Sequence, residues 1–452
     1  MAQYKKYEQY KDSGVEWIGE IPDGWMVKKL KYVSNVQLSN VDKKSVEGEL
    51  PVFLCNYVDV YYNHTISVNI EFMQATAKIE QIDRFQLRKD DVLITKDSES
   101  PNDIAIPAWV QDDLDSVLCG YHLAHIKPRR TINGRYLFYC FDSVRIREQY
   151  YARANGITRF GLSKDDIGGA ILNIPNNEEQ FSIVHFLDKK TSEIDSLIAD
   201  KEKLIKLLEE QRQAIITEAV TKGLNPNVKM KDSGIKWIGE IPEHWLIIKI
   251  KYLTKIDYGL GQPPKLSEMG IPILRATNIS KGKITKKDMI YAQLEDLPLE
   301  RVPLLTEGEI LVVRSGAYTG DSAIVTEEYS GSSPGYDLRV RATKVDSRYL
   351  AFCLLSTTVL QNQIYLEKLR AAQPHLNAED LGRCFICLPS TLYEQEQISN
   401  SLNEKMMEFD FLIEKIQTQI NKLNDYRQSL IFEAVTGKID VRDIAVDEAV
   451  TV

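Results

Sequence analysis

The sequence predicts an α/β (α+β) protein: two tandem-repeat mixed domains separated by two long antiparallel coiled-coil helices. Three observations predict it. Lys11-Asp-Ser-Gly-Val-Glu-Trp-Ile-Gly-Glu-Ile-Pro-Asp-Gly-Trp25 returns as Lys231-Asp-Ser-Gly-Ile-Lys-Trp-Ile-Gly-Glu-Ile-Pro-Glu-His-Trp245, 220 residues later. A period near half the chain means two copies of one domain, not a solenoid of short repeats. Short apolar runs bounded by Gly, Pro, Asn and Asp fill each copy, and each copy ends in a long heptad pattern.

The repeat extends beyond its opening. Asp91-Val-Leu-Ile-Thr-Lys96 matches Glu309-Ile-Leu-Val-Val-Arg314, and Gly120-Tyr121-His122-Leu123 matches Gly335-Tyr336-Asp337-Leu338. Gly161–Ile167 matches His375–Leu381, and Ile171-Leu-Asn-Ile-Pro175 matches Phe385-Ile-Cys-Leu-Pro389. The interiors between these marks diverge, as two binding specificities on one scaffold would. Val92–Thr95, Ile310–Val313 and Ile271–Leu274 read as strands. Short helices are expected at Gly134–Gln149 and Ser347–Gln363. The resulting division is a first mixed domain over 1–175, a long helix and linker over 176–227, a second mixed domain over 228–389, a second long helix over 390–440 and a tail over 441–452.

The long helices carry their own signature. Phe409, Ile413, Ile416, Ile420, Leu423, Arg427 and Leu430 advance in alternating steps of four and three. Shifted by 215, the first copy gives Ile194, Ile198, Lys201, Ile205, Leu208, Arg212 and Ile215. Such a seam packs on another helix, or on its own domain. The first reading is preferred, because the stripe would overhang a compact unit. Arg212 and Arg427 interrupt both seams at one point, to set register or to snorkel. Gly223 and Gly437 stop the helices. A helix from Ile194 to Ala219 rises roughly 39 Å at 1.5 Å per residue. That is close to one turn of B-DNA, about 34–36 Å, so a helix pair could serve as a ruler between two domains.

Composition narrows the class. The 452 residues are 43% hydrophobic and 27% charged, ordinary for a globular protein. No stretch approaches the apolar length of a membrane span, and the N-terminus lacks a secretory core. Six cysteines in this length do not make a disulfide framework, so a cytoplasmic location is expected. The net charge of −9 argues against nucleic acid only until its distribution is read. Residues 26–159 carry 18 Lys/Arg against 17 Asp/Glu, and 246–375 carry 17 against 14. Residues 176–227 carry 7 against 10 and 389–452 carry 6 against 12. The acidity therefore sits in the helices, leaving the mixed domains neutral to slightly basic.

Catalytic signatures are thin. Gly156-Ile-Thr-Arg-Phe-Gly-Leu-Ser163 has Walker-like glycine spacing but Leu where a phosphate-binding Lys belongs. Cys384-Phe-Ile-Cys387 is a lone pair, whereas zinc needs four ligands; buried thiols are expected. His122 and His125 are expected in loop or core roles rather than on a metal. Asp112-Asp113 reads as a solvated turn and Asp165-Asp166 as a helix start. Trp17, Trp25, Trp237 and Trp245 could stack bases, but they belong to the invariant part of the repeat, so framework is the better reading.

The ordered, duplicated set resembles the specificity (S) subunit of Type I restriction–modification systems. The resemblance rests on the paired Trp-Ile-Gly-Glu-Ile-Pro openings and on Gly261-Gln-Pro-Pro followed by Gly270-Ile-Pro-Ile-Leu-Arg-Ala-Thr-Asn-Ile279. It rests also on Glu307-Gly-Glu-Ile-Leu-Val-Val-Arg-Ser-Gly316, the Glu394-Gln395 helix start and Glu433-Ala-Val-Thr-Gly-Lys-Ile-Asp440. It implies that each mixed domain is a target recognition domain reading one half of a split double-stranded DNA site. It implies no catalysis and no cofactor in this chain. Two methyltransferase subunits, using S-adenosylmethionine, would dock on it, and optionally two restriction subunits using ATP and Mg. A membrane role is not implied. The first repeat departs from the family pattern, with Leu38-Ser-Asn-Val-Asp and Thr95-Lys-Asp-Ser-Glu-Ser-Pro101, so two unlike half-sites are expected.

The DNA-binding candidates follow from donor chemistry. Arg and Lys reach phosphates or guanine, and Asn and Gln read adenine. In the first domain these are Asn56, Tyr57, Lys96, Ser98, Arg153, Thr158 and Arg159. In the second they are Gln262, Lys265, Arg275, Asn278, Arg314, Ser315, Tyr318, Arg370 and Gln373. Each competes with the reading of an ordinary surface side chain. A Type IIG-like variant, a scaffold binding other proteins, and an enzyme acting alone are the competing functions; salt-dependent DNA binding separates the scaffold from the DNA reader.

Overall fold

The computed structural model describes residues 4–365 and 375–444. The chain divides into two compact units: Met1–Asp200 with Thr418–Val452, and Lys201–Gln417. The division cuts through both long helices, α1 (Asn177–Lys222) and α2 (Leu392–Val435). Each unit thus takes the first part of one long helix and the last part of the other.

Unit 1 is built on a five-stranded sheet. In order, it holds Ser34–Leu38, β2 (Leu123–Pro128), β1 (Val92–Thr95), Pro107–Val110 and Thr65–Ile66. β1 is antiparallel to both neighbours. A second sheet joins Val117–Cys119, Leu50–Cys55 and Met73–Ala77. The unbroken apolar run of β1 follows from burial of both its faces. Side chains alternate along a strand, so Val92 and Ile94 enter one core with Tyr136 and Leu137, while Leu93 enters another with Leu54 and Leu118.

Unit 2 repeats the plan. β3 (Ile310–Val312) and β4 (Leu338–Ala342) lie at the centre of a four-stranded sheet, between Ser322–Ile324 and Thr254–Tyr258. Ile310 and Val312 face one core and Leu311 another. A buried acid with a side-chain hydrogen-bond partner recurs at the start of the central strand. Asp91 lies 2.7 Å from His125 Nε2, and Glu309 holds Arg339 at 2.7–2.8 Å. His125 faces Leu93 and Arg339 faces Leu311, the residue two beyond each acid. The acid is kept between the copies while its partner changes.

The helix ends explain the duplicated motifs. Gln180 and Gln395 are buried and do the same work: each accepts from a short-helix cap, Asn133 N–H at 2.8 Å and Asp346 N–H at 2.9 Å. Each also donates to the proline carbonyl before its helix, Pro175 or Pro389. The short helices are broken where the sequence suggested continuity. Gly134–Asp142 stops at Ser143 before Val144–Tyr151, and Ser347–Leu355 stops at Ser356. Both serines are extended, and Ser356 Oγ turns back onto the Cys353 carbonyl, the local competition that makes serine a helix terminator.

The seam residues Ile194, Ile198, Ile205, Leu208, Arg212, Ile215, Phe409, Ile413, Ile416, Ile420, Leu423, Arg427 and Leu430 are all shielded from solvent to some degree. Off-seam Leu197, Leu204, Leu207, Phe411 and Leu412 are exposed. The helices run antiparallel within each unit. In unit 1, Arg427 meets Asp195, while Val435, two turns on, accepts from Tyr136, whose hydroxyl also reaches Asn173 just before α1. In unit 2, Arg212 meets Asp410 and Met406, while Ala219 and Lys222 lie beside Ser401 and Leu402.

Trp25 and Trp245 are core residues and Trp17 and Trp237 are half-exposed. Trp245 packs on Gly223 and Trp25 on Gly437. Both glycines have positive φ, +77° and +71°, which favours glycine at the end of a helix. All six cysteines are buried and none forms a disulfide, Cys384 and Cys387 among them. No helix among the described residues is long and apolar enough to cross a membrane.

Candidate nucleic-acid interface

In unit 1 the loops after β1 and around residue 158 meet the helix Tyr57–Tyr62. Tyr57, Ser98, Thr158 and Arg159 line one cleft of about 450 Å³, with Tyr61, Tyr62, Asp97 and Asp103. Tyr57 and Tyr61 stack at 5.5 Å, and Tyr61 donates to Asp103 at 2.8 Å. Beside the cleft, His122 Nδ1 lies 2.8 Å from Asp97 Oδ2 and 3.2 Å from Arg159 Nη2. Lys96 sits 3.7 Å from Asp97, with its ammonium 4.6 Å from the centre of the Tyr121 ring.

Unit 2 places Arg314 in the corresponding position. Its guanidinium lies 4.2 Å from the Tyr336 ring centre and 4.6 Å from that of Tyr258, and Nη2 is 3.0 Å from His375 Nε2. Ser315 bridges to His375. The Arg314 backbone N–H donates to Asp337 at 3.2 Å, and burial pushes the Asp337 carboxyl up to about 6. Tyr258 and Tyr336, like Tyr121, are roughly half exposed. A cation over a tyrosine face is attracted by the ring quadrupole, which fixes the side chain.

The duplicated Gly-Tyr step positions these rings. A Cβ on Gly120 would lie 2.6 Å from the Cys55 carbonyl, and one on Gly335 would lie 2.5 Å from that of Leu274. Only glycine lets the backbone cross there. Tyr121, Tyr258, Tyr336, His122 and His375 were not among the DNA-binding candidates. The signal was present: a basic residue ends each central strand, and a Gly-Tyr step follows in each copy.

The remaining candidates divide. Gln262, Lys265, Thr158, Arg159 and Tyr318 are exposed. Arg275 donates to the Asp288 carbonyl and Arg153 to the Asp166 carbonyl at 3.2 Å. Three candidates are buried, and for Asn56 and Asn278 burial corrects the assignment. Asn278 is fully buried and donates to the Thr285 and Lys287 carbonyls while accepting from Arg275 N–H. Asn56 precedes the helix Tyr57–Tyr62, its amide reaching the Leu54 carbonyl and its N–H donating to Asp59 at 2.6 Å. Ser98 is buried and accepts from Ser100 N–H at 3.2 Å. The Asn56 and Asn278 amides are occupied by backbone groups and have no free edge for a base, whereas Ser98 keeps a hydroxyl proton on the cleft wall. Arg370 and Gln373 lie outside the described residues.

The comparison with known proteins follows this geometry. A family model described as the Type I restriction modification DNA specificity domain matches residues 22–207 and 242–424. The chain belongs to that family, and it is a specificity subunit of the Type I kind. It is 21% identical to the MjaVIII specificity subunit of Methanocaldococcus jannaschii, covering 98% of this chain and 99% of that one. It is also 21% identical to the EcoKI specificity subunit of Escherichia coli K12, covering 93% and 90%. A chain solved in work on complex assembly and conformational transition of the type I R-M system shares the fold. Its TM-score is 0.64 at 16% identity, covering 92% of this chain and 98% of that one.

Proposed function

We propose that this chain reads a bipartite double-stranded DNA target, one half through each mixed domain, for a methyltransferase that it docks. The observation carrying this reading is the cation-on-tyrosine pair, Lys96 with Tyr121 and Arg314 with Tyr336, kept at matching places while the surrounding loops differ. A basic donor beside a half-exposed ring suits phosphate or guanine contact with a stacked sugar or base. Different neighbours, Asp97 and Arg159 in one unit and Tyr258 and His375 in the other, suit unlike half-sites.

The chain alone is non-catalytic in this reading. It docks two methyltransferase subunits and, where they exist, two restriction subunits. S-adenosylmethionine, ATP and Mg belong to those partners, and the assembly works in the cytoplasm. The test is methylome sequencing of cells expressing this chain with its cognate methyltransferase. A split adenine-methylated motif is expected, and exchange of residues 26–159 for a relative's domain should alter one half of it. Change in both halves, or no motif, overturns the reading.

A further inference from the structure

Resting on the DNA-reading function above, we propose that Asp97 is a specificity-determining residue: its carboxylate accepts from the N4 amino group of a cytosine in the half-site that unit 1 reads. Asp97 lies on the wall of the cleft of about 450 Å³, with Ser98 and Arg159. His122 Nδ1 comes within 2.8 Å of it and Lys96 Nζ within 3.7 Å, and both approach Oδ2. Oδ1 takes no hydrogen bond among the described residues and is not sealed from solvent. The carboxylate is thus held at one oxygen and open at the other.

The acid is not needed to hold the cation beside it. Asp97 matches Ser315 in the second copy, where two tyrosine rings and His375 hold the Arg314 guanidinium with no acid at that position. At 3.7 Å, Lys96 is also beyond hydrogen-bond reach of Asp97. A carboxylate accepts and cannot donate, so it repels phosphate and the acceptors on a base edge. In the major groove those acceptors are guanine N7 and O6, thymine O4 and adenine N7, which leaves the amino groups of cytosine and adenine. Cytosine fits better, because adenine sets its N7 acceptor beside its amino group. Lys96 stands next to Asp97, and Arg159 Nη2 is 3.2 Å from His122. Cationic donors flanking one acceptor match the guanine O6 and N7 that pair with a cytosine amino group. Glu99 and Asp103 line the same cleft. Asp103 Oδ2 already accepts from Tyr61, and no partner among the described residues fixes the exposed Glu99.

The test uses the full chain assembled with its methyltransferase, on duplexes carrying the methylated motif. The half read by unit 1 is the one altered by exchange of residues 26–159. Each cytosine of that half, on either strand, is replaced in turn by 2-pyrimidinone, which is cytosine without its amino group. One replacement should weaken binding by the parent about tenfold. Asp97→Ala should bind the unmodified target about tenfold more weakly and lose nothing further at that position; comparing parent with variant cancels any change in the duplex itself. Asp97→Asn keeps the shape and should lose the preference for cytosine over adenine there, since an amide reads adenine N6 and N7 together. A purely structural acid would instead lower binding to all targets alike. Should Asp97→Ala fail to fold, Asp97→Asn decides. A folded variant that discriminates as the parent does overturns the role of Asp97, as does discrimination lost in Asp103→Asn and kept in Asp97→Asn. A parent that binds its motif yet is indifferent to every replacement overturns this role alone, whereas a parent with no specific target overturns the DNA reading with it. Dependence on an adenine amino group, probed with purine in place of adenine, would overturn the cytosine assignment.

Discussion

Asp195 and Arg427, 232 residues apart in sequence, meet at 3.1 Å across the two long helices. The counterparts of this pair in the other copy, Asp410 and Arg212, meet at 3.0 Å. The duplication therefore preserves a reciprocal contact, each helix offering its arginine to the other's aspartate. The environments differ. Arg427 and its second partner Asp142 are almost fully buried, whereas Arg212 and Asp410 are partly wet.

That difference predicts unequal costs. Arg427→Ala leaves Asp142 buried and unpaired and should destabilise unit 1 by about 3–5 kcal/mol. Arg212→Ala breaks a solvent-screened pair and should cost about 1 kcal/mol or less. Denaturant unfolding of both variants checks the order; equal losses would contradict it.

Arg314→Ala should weaken specific DNA binding of the assembled complex by about 1–3 kcal/mol and relax recognition in one half-site. Lys96→Ala should act on the other half. If either residue touches phosphate, the salt dependence of binding falls by about one unit. Anisotropy titrations across salt, on targets varied in one half at a time, separate these outcomes.

Asp337 predicts a pH effect. Burial raises its carboxyl from the ordinary 3.8 to about 6, so the folded state holds the proton more tightly than the unfolded state does. Its contribution to stability is present below pH 3.8 and is lost as pH rises through 6. Asp337→Asn keeps an acceptor for Arg314 N–H without the charge. It should be more stable than the parent at pH 7, by on the order of 1–3 kcal/mol, and the gap should close towards pH 4. Melting curves of the two proteins across that range test it.

Gly335→Ala should push the Tyr336 segment away from the Leu274 carbonyl and so disturb the ring that holds Arg314. Weaker DNA binding is expected, with little change in the long helices by circular dichroism. Gly120→Ala should do the same beside Lys96.

Much of this was legible in the sequence. The heptad spacing marked the positions of α1 and α2 that are shielded, because helical periodicity is a local property. The β1 and β3 runs were legible as strands for the same reason. The side chains offered for DNA contact were harder. Asn56 and Asn278 carry the amide chemistry that reads adenine, but the same amide satisfies nearby backbone groups, and only burial distinguishes the two uses. Tyr121 and Tyr336 were visible as repeated residues, but repetition alone does not separate a shared scaffold from a shared contact. The assignment of Thr418–Val452 to the first unit rests on pairings hundreds of residues apart, on which local patterns are silent.

The clasp of Lys438 on the Ile18 and Glu20 carbonyls, and of Asp440 N–H on Lys5, has a consequence for biosynthesis. A ribosome has made all of residues 201–417 before it begins the strip that covers Trp25. The later-encoded lobe can therefore mature first, while the earlier one waits with an open core for the last segment to emerge. Premature termination after about residue 417 would leave one lobe whole and expose the other to chaperones and proteases.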